Sequence, residues 1–562
     1  LVAALGIDFG TSFCRACMLV DKQVHHVAIP AVVAIEPGGG VIVGERAERY
    51  ALHHPRRTVF SVKRLLGRKV YSPEVTWLAG STPVELVPGD NGDTCIRIGE
   101  ERVSCEELAA YILRDAVDRA SKAAGARPDR TVIATSAFFE VPQRHALKTA
   151  AELTGLDVRR FVESTAAAVS SLGLAPDVER VAVVDIGGGY FDVSVMTRRA
   201  DAWKVLASAG DALLGGDDLD RRILDHLATY FLGQHGSDFT QTASALHRVR
   251  LAAREVKHQL TGTLSSHPVR VPMLTAVDDT RHDLEHPPLL RDELHDMWAD
   301  ELGSLWAPCV QLFEDLGLGT DDVDELLLLG GSLEVQSVRS MVASMFRTTG
   351  SRPDGWSRLA ALGAAQIAAR AGRGDELIQS TLPHTLSVKV RGGRVAPIIR
   401  RNRSLPCVEE RPFAKPRDDQ DVLVLEIYQG EGALARDNIY IGRFRLEGLG
   451  EGKRHDVRFA VDQFGLVSLE VPRGRAGRGV AAEMSLSSGL TGNEIQRLRE
   501  ALRKPIDLGT ALARSHEQRE TGTAILLDAT PAPVVGLTSA PPSSQTTAHG
   551  PPSSTRSERP KR

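Results

Sequence analysis

Two stretches of this 562-residue chain repeat one design: LGIDFGTSFCRACML, starting at Leu5, and VAVVDIGGGYFDVSV, starting at Val181. Each runs an apolar strand into an aspartate, Asp8 or Asp185, turns through glycine and leaves along a second alternating strand. Glycine lets a backbone approach a phosphate and offer its N–H groups, and an aspartate there can hold the waters of a magnesium ion. Alone, either segment is as well read as a hairpin with an acidic turn. Together they imply two lobes closing on one phosphate-bearing ligand. A third run, VDELLLLGGSLEV from Val323, is a buried strand ending in a Gly330–Gly331–Ser332 turn suited to a sugar or base.

Composition sets the frame for that pair. A hydrophobic share of 42%, a charged share of 25% and a formal charge of −4 fit a globular chain of about two to four domains, without a basic surface for nucleic acid. Six cysteines are too sparse for a disulfide scaffold. Cys14 and Cys17 form a C-x-x-C, but they sit in an alternating strand and read as packing rather than as a zinc or redox site. No apolar run approaches the roughly 20 residues that cross a bilayer, and the start is too short for a secretory signal, so a cytoplasmic protein with reduced thiols and no membrane partner is expected.

Residues 1–372 alternate β-branched runs with amphipathic segments, as an α/β domain does. Strands are expected at Leu5–Asp8, Thr131–Thr135, Val181–Asp185 and Leu326–Leu329, and helices after the Ser104/Glu107 capping box and over Ala243–Leu260. Residues 373–384 read as a linker, 385–487 as an all-β unit, 488–515 as a short helical piece with a Thr491/Glu494 capping box, and 516–562 as a disordered Pro/Ser/Thr-rich tail.

With these motifs in order, the chain resembles the DnaK-type chaperones of the heat-shock protein 70 family, within the actin and sugar-kinase superfamily. The resemblance runs from the start to about residue 500 and rests on GIDFGTS (6–12), TVFSVKRLLGRKV (58–70), VPQRHALKTAAELTGLDVRR (141–160), ESTAAA (163–168), DIGGGYFDVSV (185–195), LGGDDLD (214–220) and LLLLGGS (326–332). LEIYQGEGALARDNIYIGRF (425–444) resembles the family's peptide-binding β-domain. It implies an actin-like, ribonuclease H-like two-lobed nucleotide domain, then a β-sandwich, a truncated helical lid and the tail. ATP or ADP with Mg2+ would be the cofactors, and ATP hydrolysis the reaction.

The resemblance assigns catalysis to Lys63, Glu163, Asp185 and Asp192, and water-mediated metal contacts to Asp8 and Asp185. It gives nucleotide contacts to Gly10, Thr11 and Ser12, to Gly187, Gly188, Gly189 and Tyr190, and to Gly216, Lys257, His258 and Thr261. Gly330, Gly331, Ser332, Glu334 and Asp354 complete that set. In the β-domain, Val388, Phe413, Leu423 and Leu425 match a pocket for an aliphatic side chain, although alternation alone places them in a core. Arg391 stands where an apolar residue arches over the peptide.

Several positions depart from the family. Tyr190 replaces a threonine beside the terminal phosphate, so its phenol either fills the phosphate space or swings away, and slow turnover is expected. His258 and Glu334 replace two arginines that sandwich adenine, and Arg254 replaces a ribose-contacting glutamate, which leaves two readings: Arg254 and Glu334 exchange charge across the pocket, or both are surface residues of a looser site. Ser136 and Ser164 replace prolines, while the switch residue Arg144 is kept. The linker keeps Leu377 and Ile378, but Glu376, Gln379 and Ser380 make it more polar, which predicts weaker docking. The basic loop Arg473–Gly479 reads as a solvated turn. The expectation is an ATP-dependent chaperone binding exposed hydrophobic peptide segments, with J-domain and nucleotide-exchange partners. The alternative is a hydrolysis-impaired binding or regulatory protein. A small-molecule kinase is disfavoured by residues 385–487.

Overall fold

The computed structural model describes residues 3–200, 202–276, 278–372, 377–415, 421–449, 454–472, 480–486 and 489–502. The expected tail, the Arg473–Gly479 loop and Glu376 lie outside the described residues.

Two five-stranded sheets share a plan. In the first, Ala4–Phe9, Phe13–Val20 and Gln23–Pro30 form an antiparallel meander, and Arg130–Thr135 lies parallel beside the first of them. In the second, Arg180–Ile186, Phe191–Arg199 and Ala202–Asp211 form the meander and Glu325–Leu329 the parallel neighbour. The repeated segments thus become the same hairpin in two lobes. Each expected strand is present and extends by a residue or so at its ends.

The helices Ser164–Leu172 and Trp356–Arg370 fit against these sheets through small side chains. Ala166–Val169, Ala364 and Ala368 share one core with Ala4, Val132 and Ala134 of the first sheet and Val181, Val183 and Leu327 of the second. A side chain at Gly6 would collide with the backbone of Ala361, and one at Gly363 with the backbone of Ala167. Cys14 and Cys17 are both buried in their strand, and burial pushes both thiols up, Cys17 to about 12. Their inert packing fits the alternation.

Both capping signals mark real helix starts. Ser104 Oγ accepts from Glu107 N at 3.1 Å to open Cys105–Ala124, but the Glu107 carboxylate takes the Tyr111 hydroxyl instead of returning to residue 104. Thr491 and Glu494 form the full reciprocal pair, opening Gly492–Leu502. Leu498 and Leu502 of that helix belong to the first-lobe core, and Gly489 N donates to Asp93 Oδ2 at 2.7 Å.

The described strands from Leu386–Lys389 to Glu483–Leu486 form two sheets around one core. Val388, Leu425 and Phe444 from one meet Val457, Phe459 and Leu469 from the other. The unit touches the first lobe where Val141 N donates to Gln429 Oε1 at 2.8 Å and Arg144 donates to the carbonyl of Phe464.

The linker departs from expectation. Ile378–Gln379 adds a strand parallel to Trp203 and Lys204 at the edge of the second sheet, with Ile378 fully buried. The polar residue expected to weaken docking is itself an anchor: Ser380 Oγ donates to buried Glu163 at 2.6 Å, and Arg160 donates to Ser380 Oγ and to the carbonyl of Ile378. Strand addition supplies the backbone bonds, and a charge-assisted hydrogen bond replaces lost apolar contact. Ser380→Ala should therefore loosen the strand by about 1.5–3 kcal/mol. Native-state hydrogen exchange at the Trp203 amide, which donates to Leu377 O, should accelerate accordingly.

Candidate functional site

The turns that follow the two aspartates face each other across a cleft of about 410 Å³. Asp8, Gly10, Thr11 and Ser12 line it from the first lobe, and Asp185, Gly187, Gly188 and Asp192 from the second. Ordinary side chains would prevent this approach. A Cβ on Gly188 would strike Ser12 Oγ, and one on Gly189 would sit 2.5 Å from Arg64 Cδ. Gly189 packs behind the cleft instead of lining it, a correction to its expected ligand contact whose cause is that close fit to Arg64 and Thr11.

The acidic floor is electrostatically frustrated. Burial, with the neighbouring Asp192 and Asp8 carboxylates, pushes Asp185 up to about 7, and burial pushes Asp192 up to about 6. Asp8 is also raised by burial, partly offset by Arg15, 3.8 Å away, and by Lys63. Lys63 is drawn down by burial and back up by the three aspartates. Among the described residues no three His, Cys, Asp or Glu side chains are grouped to hold a metal ion directly. A divalent ion bridged by its own waters fits this donor set, because it would relieve the repulsion without direct ligation.

Two serines brace these carboxylates. Ser136 Oγ donates to Asp192 Oδ1 at 2.8 Å while accepting from Phe138 N at 3.0 Å, and Ser164 Oγ donates to Asp185 Oδ2 at 3.3 Å. Where prolines are expected, the chain thus places hydroxyls on the site's own aspartates.

Tyr190 lines the cleft, but its hydroxyl is turned into the first-lobe core. Its hydroxyl accepts from Gln143 Nε2 at 2.8 Å, its ring lies 5.7 Å from that of Phe139, and it joins the first-lobe core although it belongs to the second-lobe turn. The Lys63 ammonium sits 5.1 Å from the Tyr190 ring centroid and 5.2 Å from that of Phe139. The phenol therefore cages the lysine from one side and fastens one lobe to the other.

Glu163 requires a second correction. It does not line the cleft. It is buried behind it, with Ser380 Oγ at 2.6 Å and Thr381 N at 3.3 Å on its two carboxylate oxygens, so the linker has taken the group expected to orient water.

Around the rest of the cleft the expected residues do assemble. Gly216, Lys257, His258 and Thr261 line one part, and Gly330, Gly331, Ser332 and Glu334 another. Lys257 Nζ is held at 2.7 Å by both Asp220 and the Gly216 carbonyl. Arg254 and Glu334 do not exchange charge: Arg254 reaches Glu48 at 3.9 Å, and Glu334 pairs with Arg352 at 2.9 Å. Asp354 is a third correction, since it stands exposed in the turn before Trp356 and does not line the cleft. Trp356 and Ser357 line it there instead, together with Arg15, Asp217 and Asp220, none of which the sequence singled out.

A model of the family described as Hsp70 protein matches residues 4–531. The chain belongs to the Hsp70 family. Hsp70-family proteins are chaperones that in general bind ATP or ADP with magnesium, act as ATPases and take peptide segments as substrates.

The assigned peptide pocket is packed shut. Val388, Leu423 and Leu425 are 2%, 4% and 5% exposed in the sandwich core, as alternation alone predicts, while Phe413 is half-buried and Arg391 exposed. Among the described residues no helix is long and apolar enough to cross a membrane.

Two substitutions test this geometry in denaturant titrations. Tyr190→Phe, which keeps the ring but loses the Gln143 bond, should cost about 1 kcal/mol, and Tyr190→Ala about 3–5 kcal/mol. Asp185 titrates near 7 against an ordinary 3.8. The folded protein therefore binds more protons than the unfolded one between these values, and the contribution of Asp185 to stability falls as pH rises through that window. Asp185→Asn should stabilise the ligand-free protein by about 1–3 kcal/mol at pH 8, and the gain should shrink toward pH 4.

Proposed function

We infer that this Hsp70-family chain binds ATP with magnesium, hydrolyses it slowly and couples its nucleotide state to the binding of extended apolar peptides by the β-sandwich. The observation that carries the reading is the cleft itself: two glycine turns from separate lobes meet there with Asp8, Asp185, Asp192 and Lys63, while the hydroxyl of the residue after the last glycine is tied to Gln143. Bound magnesium would neutralise phosphate and carboxylate charge. Asp8 and Asp185 would hold it through water.

Lys63 would stabilise charge building on the terminal phosphate in an in-line displacement by water. Its enclosure by Tyr190 and Phe139 limits where the ammonium can go. Asp192, fixed by Ser136 and Phe138 N, is the carboxylate in the cleft that can orient the attacking water. Glu163 serves the linker in this state, so release of Ile378–Ser380 would free it. The missing small hydroxyl at position 190 leaves the transferred group less well positioned, and a misplacement of about 1 Å costs on the order of a hundredfold in rate. Peptide would reach Val388, Phe413, Leu423 and Leu425 only after the sandwich opens, since these residues are packed in the docked arrangement.

The second reading is a hydrolysis-impaired binding or regulatory protein, favoured by the diversion of Tyr190 and Glu163. Calorimetry with MgADP should show one site per chain, and absence of binding would overturn the nucleotide reading. Single-turnover hydrolysis should be slow and should rise about tenfold to a hundredfold in Tyr190→Thr. No turnover in either protein would favour the regulatory reading, while an equal, fast rate would contradict slow hydrolysis.

A further inference from the structure

The cleft lacks the two cationic faces that the family resemblance places about adenine. At those positions stand His258, held neutral because burial and the adjacent Lys257 push it down to about 4, and Glu334, whose carboxylate is committed to Arg352. His258 keeps one flat imidazole face at the cleft and Glu334 offers none, so a base sandwiched here needs a second flat surface.

Trp356 supplies one. It opens the helix Trp356–Arg370, lines the cleft and reaches the glycine turn assigned to sugar or base: its Cη2 would lie 3.9 Å from a Cβ on Gly331. Arg352 does not line the cleft but stacks on the indole, with its guanidinium carbon 4.3 Å from the ring centroid. That guanidinium is fixed in turn by the Gly330 carbonyl at 3.0 Å and by Glu334 at 2.9 Å. The indole is therefore clamped from behind by an arginine that is itself pinned, which leaves ring surface toward the cleft at low entropic cost.

We propose that Trp356 is the stacking platform for the base of the bound nucleotide, with Arg352 as the residue that positions it. The inference rests on the nucleotide reading above and adds to it the residue that replaces the lost arginine faces. Stacking of this kind tolerates any aromatic base, since every base presents a π-face.

Intrinsic fluorescence of the full chain with MgADP, and calorimetry with MgADP and magnesium pyrophosphate for the affinities, test it. MgADP should quench the wild-type emission, and Trp356→Phe should abolish most of that quench while keeping ADP affinity within about threefold. Trp356→Ala should weaken MgADP about tenfold and leave pyrophosphate within about twofold. Unchanged ADP affinity in Trp356→Ala overturns the proposal, as does an equal loss for ADP and pyrophosphate, which would mean damage at the phosphate end. Wild-type protein that takes pyrophosphate but not ADP overturns the base platform and leaves the phosphate cradle standing. Protein that takes neither overturns the nucleotide reading and this inference with it.

Discussion

Four turns in this protein come closer together than side chains permit, and the architecture depends on that contact. Gly215 lies so near the Gly188–Gly189 peptide that a Cβ would fall 2.5 Å from Gly189 N, and Gly330, at φ +89°, would drive a Cβ into the carbonyl of Ile186. With Gly188 against Ser12, these contacts bring the carboxyl ends of both sheets to one place. A larger residue at Gly215 or Gly330, where the contacts are to backbone, would have to part the turns. Function follows from the same constraint, because bare backbone converging from two lobes can bond to phosphate on both sides.

Convergence has an electrostatic consequence. Asp8, Asp185 and Asp192 are carried into a buried space with one lysine among them, so the ligand-free site holds charge that its own residues do not balance. A metal–nucleotide complex would bring both cation and polyanion to groups already in place, and its binding would relieve the repulsion that folding imposed. The same neighbourhood reaches outward through consecutive residues: Ser164 bonds Asp185, while Glu163 bonds the linker at Ser380. Tyr190 meets Gln143 two residues from Val141, where Gln429 of the sandwich is bonded. Changes at the phosphate turns thus have short, hydrogen-bonded routes to the linker and the sandwich.

The sequence made the two hairpins, the Ser104 and Thr491 helix starts and the sandwich legible, because each rests on local chemistry: period-two alternation, a capping hydroxyl, a glycine where backbone must approach backbone. What it left unread was long-range. Whether Tyr190 would fill or vacate the phosphate space depended on Gln143 and Phe139, distant in the chain. Glu163 fits the local motif, yet its fate was set by Ser380, far downstream. Polar substitutions in the linker read as lost apolar area, when Ser380 instead found a buried acceptor. Trp356 carries no motif at all; its place at the cleft comes from the start of its helix and from Arg352 behind it. Val388, Leu423 and Leu425 lie in the sandwich core, where period-two alternation alone places them.

A crystal structure of the full chain with MgADP is the most direct test of the central claim. The phosphates should accept hydrogen bonds from backbone N–H groups of both the 10–12 turn and Gly187–Gly188, with the metal's waters between Asp8 and Asp185. Phosphates held by one lobe alone, with the opposite turn out of reach, would contradict the account.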